Sequence, residues 1–248
     1  FHGPSVPQND KYAAPYDREL INNHHVLYRL NYETGDYECV STLWRMHHDG
    51  WHVGRHIDTP ASRFIFRKHR GRVYAFADHG YSKRINTVLM LQPDDGLKPV
   101  ASLGFDHALP KALHEPYRDL IYNNKGEETH RMSMWHYWRD ANGDGRYQPE
   151  EYHLRRRGWN EPATVFTQVQ DDLTLWGHSG SNLFRMPVQE FTEDGVPVYP
   201  RYNAVKPYLN LKAAGVLDAV PFGDKYMVIE QKGGTSRNKG EWAAVSCF

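Results

Sequence analysis

Apolar and polar residues alternate along this chain in short runs, and they rarely recur at helical spacing for more than two turns. His25 to Leu30 reads as a strand, Glu33 to Asp36 as a turn and Tyr37 to Val40 as a returning strand, which predicts a hairpin. A second hairpin is predicted from Phe64 to Arg67 and Val73 to Ala77 around His69 to Gly71. A third comes from Asn86 to Leu91 and Pro99 to Leu103 around Pro93 to Gly96. Met132 to Trp138 alternates as a strand. Ala163 to Val169 and Leu173 to Gly177 follow as a pair, then Asn182 to Pro187, a turn at Thr192 to Gly195, and Val196 to Tyr199. Ala219 to Phe222, Lys225 to Gln231 and Glu241 to Ser246 close the series. Helical spacing is confined to Tyr16 to Asn22, Ala112 to Tyr122 and Leu209 to Leu217.

Two stretches read as variants of one unit. SRFIFRKHRGRVYAFADHG and ATVFTQVQDDLTLWGHSG both run strand, polar turn, strand and a glycine-containing exit with a histidine. NTVLMLQPDDGLKPV follows the first and NLFRMPVQEFTEDGVPV the second, each read as a further hairpin. Four strands per unit at a period of about 40–50 residues is the rhythm of a propeller blade. The expectation is therefore an all-β chain, 1–248, forming one β-propeller-like domain or propeller segment of about four to five blades with a few short helices. Another antiparallel β fold and an α+β fold stand as alternatives.

Composition sharpens this picture in three places. Aromatic residues make up 13% of the 248 residues, and 16 are tyrosines, which favours pleated, half-buried surfaces. The 30 basic and 30 acidic residues cancel, so the basic excess that non-specific nucleic-acid binding needs is absent, and the triplet Arg155, Arg156, Arg157 is too short to supply it. No apolar run approaches the ~20 residues of a membrane-spanning helix, so no membrane span is expected. Cys39 and Cys247 lie outside any CxxC context, which excludes a zinc ribbon, a thioredoxin-type motif and c-type haem attachment; one disulfide or two free buried thiols are both open. The ends, FHGPSVPQND and EWAAVSCF, read as interior sequence. The expectation is a processed piece, or part of a larger chain that packs against other polypeptide or other subunits.

The stretch with defined chemistry is WRDANGDGRYQPEEY. It meets the pattern D-x-[DN]-x-[DN]-G-x5-E with Asp140, Asn142, Asp144, Gly145 and Glu151. Calcium is a hard cation that takes six to eight oxygens at about 2.4 Å. Asp140, Asn142 and Asp144 would present side-chain oxygens around a tight turn and Gly145 would permit the bend. Arg146 would offer its carbonyl, Gln148 would act directly or through water, and Glu151 would close the sphere with its carboxylate. Pro149 suits a first helical turn, so Pro149 to Tyr152 is predicted to begin a short helix. A metal-free Asx- and glycine-rich surface turn is the plain alternative.

The loop resembles EF-hand and dockerin-type loops at every ligand position, although an alternating strand rather than a helix feeds it and no second loop pairs with it. That departure implies a structural calcium rather than an opening sensor, and such sites in extracytoplasmic proteins are commonly weak. Over residues 130–200, a tryptophan-bearing strand running into W-x-D-x-N-G-D-G-x-x-Q-P-E-E is similar to repeats of large secreted β-propeller proteins of planctomycete-like bacteria. The resemblance implies a propeller, a calcium loop and export to the periplasm or beyond. It implies no reaction.

Other candidates are weaker. His47, His48, His52 and His56 cluster in MHHDGWHVGRH and could hold a transition metal or haem, with Asp49 and Asp58 orienting them; Gly50 and Gly54 break the helix that would align them. Gly177 to Ser181 lacks the nucleophile-elbow spacing, and Gly233 to Gly240 lacks a phosphate-loop pattern. The sequence thus favours a calcium-stabilised extracytoplasmic binding or scaffold module, with a carbohydrate as a candidate ligand. The alternatives are a propeller hydrolase or lyase acting on polysaccharide, and a His-rich metal- or haem-binding redox subunit.

Overall fold

A computed structural model describes residues 20–23, 26–42, 64–79, 84–92, 97–105, 115–127, 134–145, 148–156, 165–179, 182–201, 207–210, 216–222, 225–231 and 242–247. These residues are mostly β-strand with very little helix, and every pairing is antiparallel. The sheets are open rather than closed on themselves.

β1 (Leu20–Asn23), β2 (Val26–Leu30) and β3 (Tyr37–Thr42) form a three-stranded sheet. The predicted hairpin from His25 is therefore present, and Asn31 caps its turn by accepting the Glu33 and Thr34 N–H groups. The helix predicted over Tyr16 to Asn22 is not formed at its described end: Leu20–Asn23 pairs with β2 instead. Ladder bonds to a neighbouring strand satisfy the same backbone groups that a helix would, and pairing overrides weak local periodicity. Cys39 is an exposed free thiol, so at this position neither the disulfide nor the buried thiol is observed.

The largest sheet is a six-stranded meander in strict sequence order. It comprises β4 (Phe64–His69), β5 (Arg72–His79), β6 (Arg84–Leu91), β7 (Leu97–Phe105), β8 (Met134–Arg139) and β9 (Tyr152–Arg156). The second and third predicted hairpins form β4–β5 and β6–β7. Arg70 and Gly71 turn the first of these, both at positive φ (50° and 76°), the backbone that a tight two-residue hairpin turn requires. The turn at Pro93 to Gly96 lies outside the described residues.

A second sheet has the order β10 (Val165–Val169), β11 (Leu175–Ser179), β12 (Asn182–Met186), β15 (Pro207–Asn210). β13 (Glu190–Phe191) and β14 (Pro197–Val198) make a separate small hairpin. The turn at Thr192 to Gly195 is where the sequence places it, held by Val196 N–H donating to Thr192 Oγ1 at 3.0 Å. The strand entering that turn is Glu190–Phe191, whereas Asn182–Met186 pairs with β11 and β15. β16 (Val216–Phe222), β17 (Lys225–Gln231) and β18 (Trp242–Cys247) form the last sheet. The helix predicted over Leu209 to Leu217 is replaced at both described ends by β15 and β16. Of the helix predicted over Ala112 to Tyr122, residues 115–122 are described, and among them Arg118–Ile121 is helical (α1).

One buried cluster joins the two large sheets. Ile65, Phe76, Val88, Val100 and Trp135 from the meander meet Phe166, Leu175, Phe184 and Met186 from the second sheet, with Tyr199 beside them. β8 is buried on both faces, although its sequence alternates. Its second face is covered near Tyr117 and α1: His136 stacks on Tyr152 at 5.7 Å, and Tyr117 packs against Tyr152. Arg156 donates to the α1 carbonyls of Leu120 and Asp119, which holds that cover down.

Candidate metal centre

The 140–151 loop joins β8 to β9, two strands that are directly paired, so its two ends are fixed by the sheet beneath. Asp140 extends the strand by donating its N–H to Val100 of β7 at 3.0 Å. Gly143 and Gly145 take φ of 79° and 70°, which only glycine adopts without strain. Pro149–Glu151 is a single 3-10 turn, a tighter version of the helix start expected there.

The structure brings five of the six predicted ligand residues into one network; Arg146 lies outside the described residues. Asp140 is buried, and its Oδ2 accepts the Gly145 N–H at 3.1 Å. Asn142 Oδ1 accepts the Asp144 N–H at 3.0 Å. Its Nδ2 donates to Gln148 Oε1 at 2.8 Å, while Gln148 Nε2 donates to Asp144 Oδ2 at 2.7 Å. Glu151 reaches back across the loop. Its Oε1 accepts from the N–H groups of Ala141 and Asn142 at 2.8 and 3.1 Å, and its Oε2 from the Trp138 indole at 3.1 Å. Glu151 thus closes the loop by anchoring its first turn.

Two features lie outside what sequence reasoning reaches. Lys98 of β7 places its ammonium 3.2 Å from Asp140 Oδ2 and donates to the Gly143 carbonyl. It is 42 positions away in the chain (140 − 98), and only strand pairing brings it there. The Trp138 indole is two residues before the motif, and the pattern assigns it no role.

Asp140 Oδ1 is buried and has no hydrogen-bond partner among the described residues. An unpaired carboxylate oxygen in that position costs free energy unless something meets it. The Lys98 ammonium lies on the other oxygen, so no described residue meets Oδ1. The surrounding donor set of carboxylate and amide oxygens, without sulfur or imidazole, suits a hard divalent cation such as calcium and suits zinc or copper poorly. Among the described residues, however, no three His, Cys, Asp or Glu side chains converge as a ready metal cage. Glu151 is committed to the loop backbone, and the fit rests on Asp140, Asn142, Asp144 and Gln148.

The histidine cluster from His47 to His56, and the Gly233 to Gly240 segment, lie outside the described residues. Asp171 and Asp172 are exposed turn residues; Asp172 Oδ1 accepts the Thr174 N–H at 2.9 Å, a turn-capping role. Among the described residues, no helix is long and apolar enough to cross a membrane. No protein-family model matches the chain, and no curated protein matches it.

Proposed function

We propose that this chain is a calcium-stabilised, extracytoplasmic β module of propeller type that binds or scaffolds other components of a larger protein or complex. The observation that carries the reading is the buried Oδ1 of Asp140, without a partner among the described residues, inside a loop whose backbone is already wrapped around it. Calcium supplies positive charge and an oxygen-seeking coordination sphere at that atom, and Asn142, Asp144 and Gln148 are the neighbouring oxygens that would hold it. Because both ends of the loop are set by paired strands, calcium acts here by stabilising the β8–β9 connection, with no element poised to open. The propeller assignment rests on the hairpin rhythm. The six-stranded meander is longer than one four-stranded blade, so the sheet count alone does not set the blade number.

The test is elemental analysis of the purified protein together with thermal unfolding with and without excess chelator. One bound calcium and a chelator-induced fall of several degrees in Tm are expected. No calcium, and no chelator effect after calcium is added back, would remove the reading.

A further inference from the structure

A cleft of about 210 Å³ adjoins the loop, and it contains charge that the calcium reading does not use. Ala141, Glu150 and Glu151 form the part of its lining that belongs to the loop and its exit. Its other lining includes Arg139 at the end of β8, His153 in β9, Tyr137, and Arg201 beyond β14. Neither Arg139 nor Arg201 has a carboxylate within ion-pair distance among the described residues. Two guanidinium groups therefore line one small concavity that Glu150 and Glu151 also line, and neither guanidinium makes a direct ion pair among the described residues. Arg201 Nη2 lies 3.1 Å from His153 Nε2, and a guanidinium can only donate, so that nitrogen accepts and the His153 proton sits on Nδ1. Tyr137 is buried beside His153, with the two rings stacked at 6.3 Å, and its hydroxyl proton has no acceptor among the described residues.

We infer that this cleft binds a small hydroxycarboxylate of sugar-acid size, its carboxylate held by Arg139 and Arg201 and its hydroxyls by Tyr137, Glu150 and Gln189. Guanidinium forks match carboxylates in plane and in charge, which fixes the anionic end. The Tyr137 hydroxyl offers a donor, the Glu150 carboxylate an acceptor and the Gln189 amide both, which suits a hydroxylated remainder. The volume lies below the ~300–1,000 Å³ of drug-sized sites, so the ligand is a single small unit or the end of a longer chain. The inference names a ligand for the binding module proposed above. It does not require the loop to hold calcium, because the arginines are carried by β8 and by the segment after β14.

The test is calorimetric titration of the intact protein with sodium glucuronate, glucose and inorganic phosphate, with calcium present and again in chelator. Arg139→Met and Arg201→Met are titrated in parallel, after thermal unfolding has verified that both fold. Saturable glucuronate binding, no response to glucose, weaker phosphate binding, and at least a tenfold loss in each folded variant are expected. No glucuronate binding by the wild-type protein overturns the inference, as does binding that survives both substitutions. Phosphate binding as tight as glucuronate also overturns it, since the site would then select charge without reading hydroxyls. If one variant fails to fold, the other decides. Glucuronate binding in a protein that takes up no calcium would support the cleft while removing the calcium reading, so the two fail separately.

Discussion

At the scale of single residues, Lys98 changes how the calcium loop is understood. A buried carboxylate needs a counter-charge, and the Lys98 ammonium provides one at 3.2 Å from Asp140 with no metal required. The same positive charge lies close to where a divalent cation would sit, so it opposes calcium while it stabilises the calcium-free loop. Lys98→Met keeps most of the apolar stem and removes the charge. Removing one partner of a buried pair destabilises by about 3–5 kcal/mol, and the low end applies here because Lys98 is partly exposed. The variant is therefore expected to lose about 3 kcal/mol in chelator, to lose much less in calcium, and to bind calcium several-fold more tightly. Urea unfolding in both conditions and a calcium titration measure this; equal losses with unchanged calcium affinity would show that Lys98 plays no part in the site. The Asp, Asn, Gly and Glu positions of the loop were legible because the motif is local. Lys98 was not, because its place depends on the register between β7 and β8.

At the scale of elements, hairpins with short polar turns were read correctly from β2–β3, β4–β5 and β10–β11, since alternation and turn chemistry act over a few residues. What alternation could not convey was which strands meet after the turn ends, so Asn182–Met186 was matched to the wrong partner. Nor could it convey that α1 and Tyr117 cover the second face of β8. The β10–β11 turn shows how such connections are held. Leu173 is fully buried at φ 66°, a conformation that costs a non-glycine residue on the order of 1–3 kcal/mol. Its N–H donates to Gln170 at 2.9 Å, and its carbonyl accepts the Tyr199 hydroxyl at 2.8 Å. Tyr199→Phe leaves that carbonyl unpaired and is expected to cost about 1–3 kcal/mol, read from urea unfolding. Burial, with smaller contributions from Asp172 and neighbouring tyrosines, raises the Tyr199 pKa well above 10.0. The native state therefore holds this proton more tightly than the unfolded chain does. The associated stability is complete below pH 10.0 and is lost as pH rises beyond it. The phenylalanine variant should unfold less steeply with pH in that alkaline range; an unchanged alkaline profile would mean that Tyr199 is not the group responsible.

At the scale of the whole molecule, the question is whether the six-stranded meander and the second sheet are one folding unit. Their side chains share a single buried cluster, and one buried charge ties their backbones together. Arg67 of β4 is 4% exposed, and its Nε and Nη2 donate to the Val169 carbonyl of β10 at 3.2 and 3.0 Å, while Nη1 donates to its neighbour Phe66 at 2.7 Å. Asp171 stands 3.4 Å away but is 79% exposed, so the ion pair contributes little and the carbonyl bonds dominate. Arg67→Met preserves an apolar stem and strips the donors from a buried carbonyl at the seam. The expected loss is about 2–3 kcal/mol. Because the seam belongs to one core, unfolding should remain a single transition, with tryptophan fluorescence and far-ultraviolet circular dichroism coinciding in both proteins. Separation of the two signals in the wild-type chain would divide the sheets into independent units. Separation only in the variant would identify Arg67 as the contact that makes them cooperate. A coincident transition shifted by the expected amount fits a continuous β framework, on which the loop and its adjoining cleft are carried at one end of the β8–β9 pair.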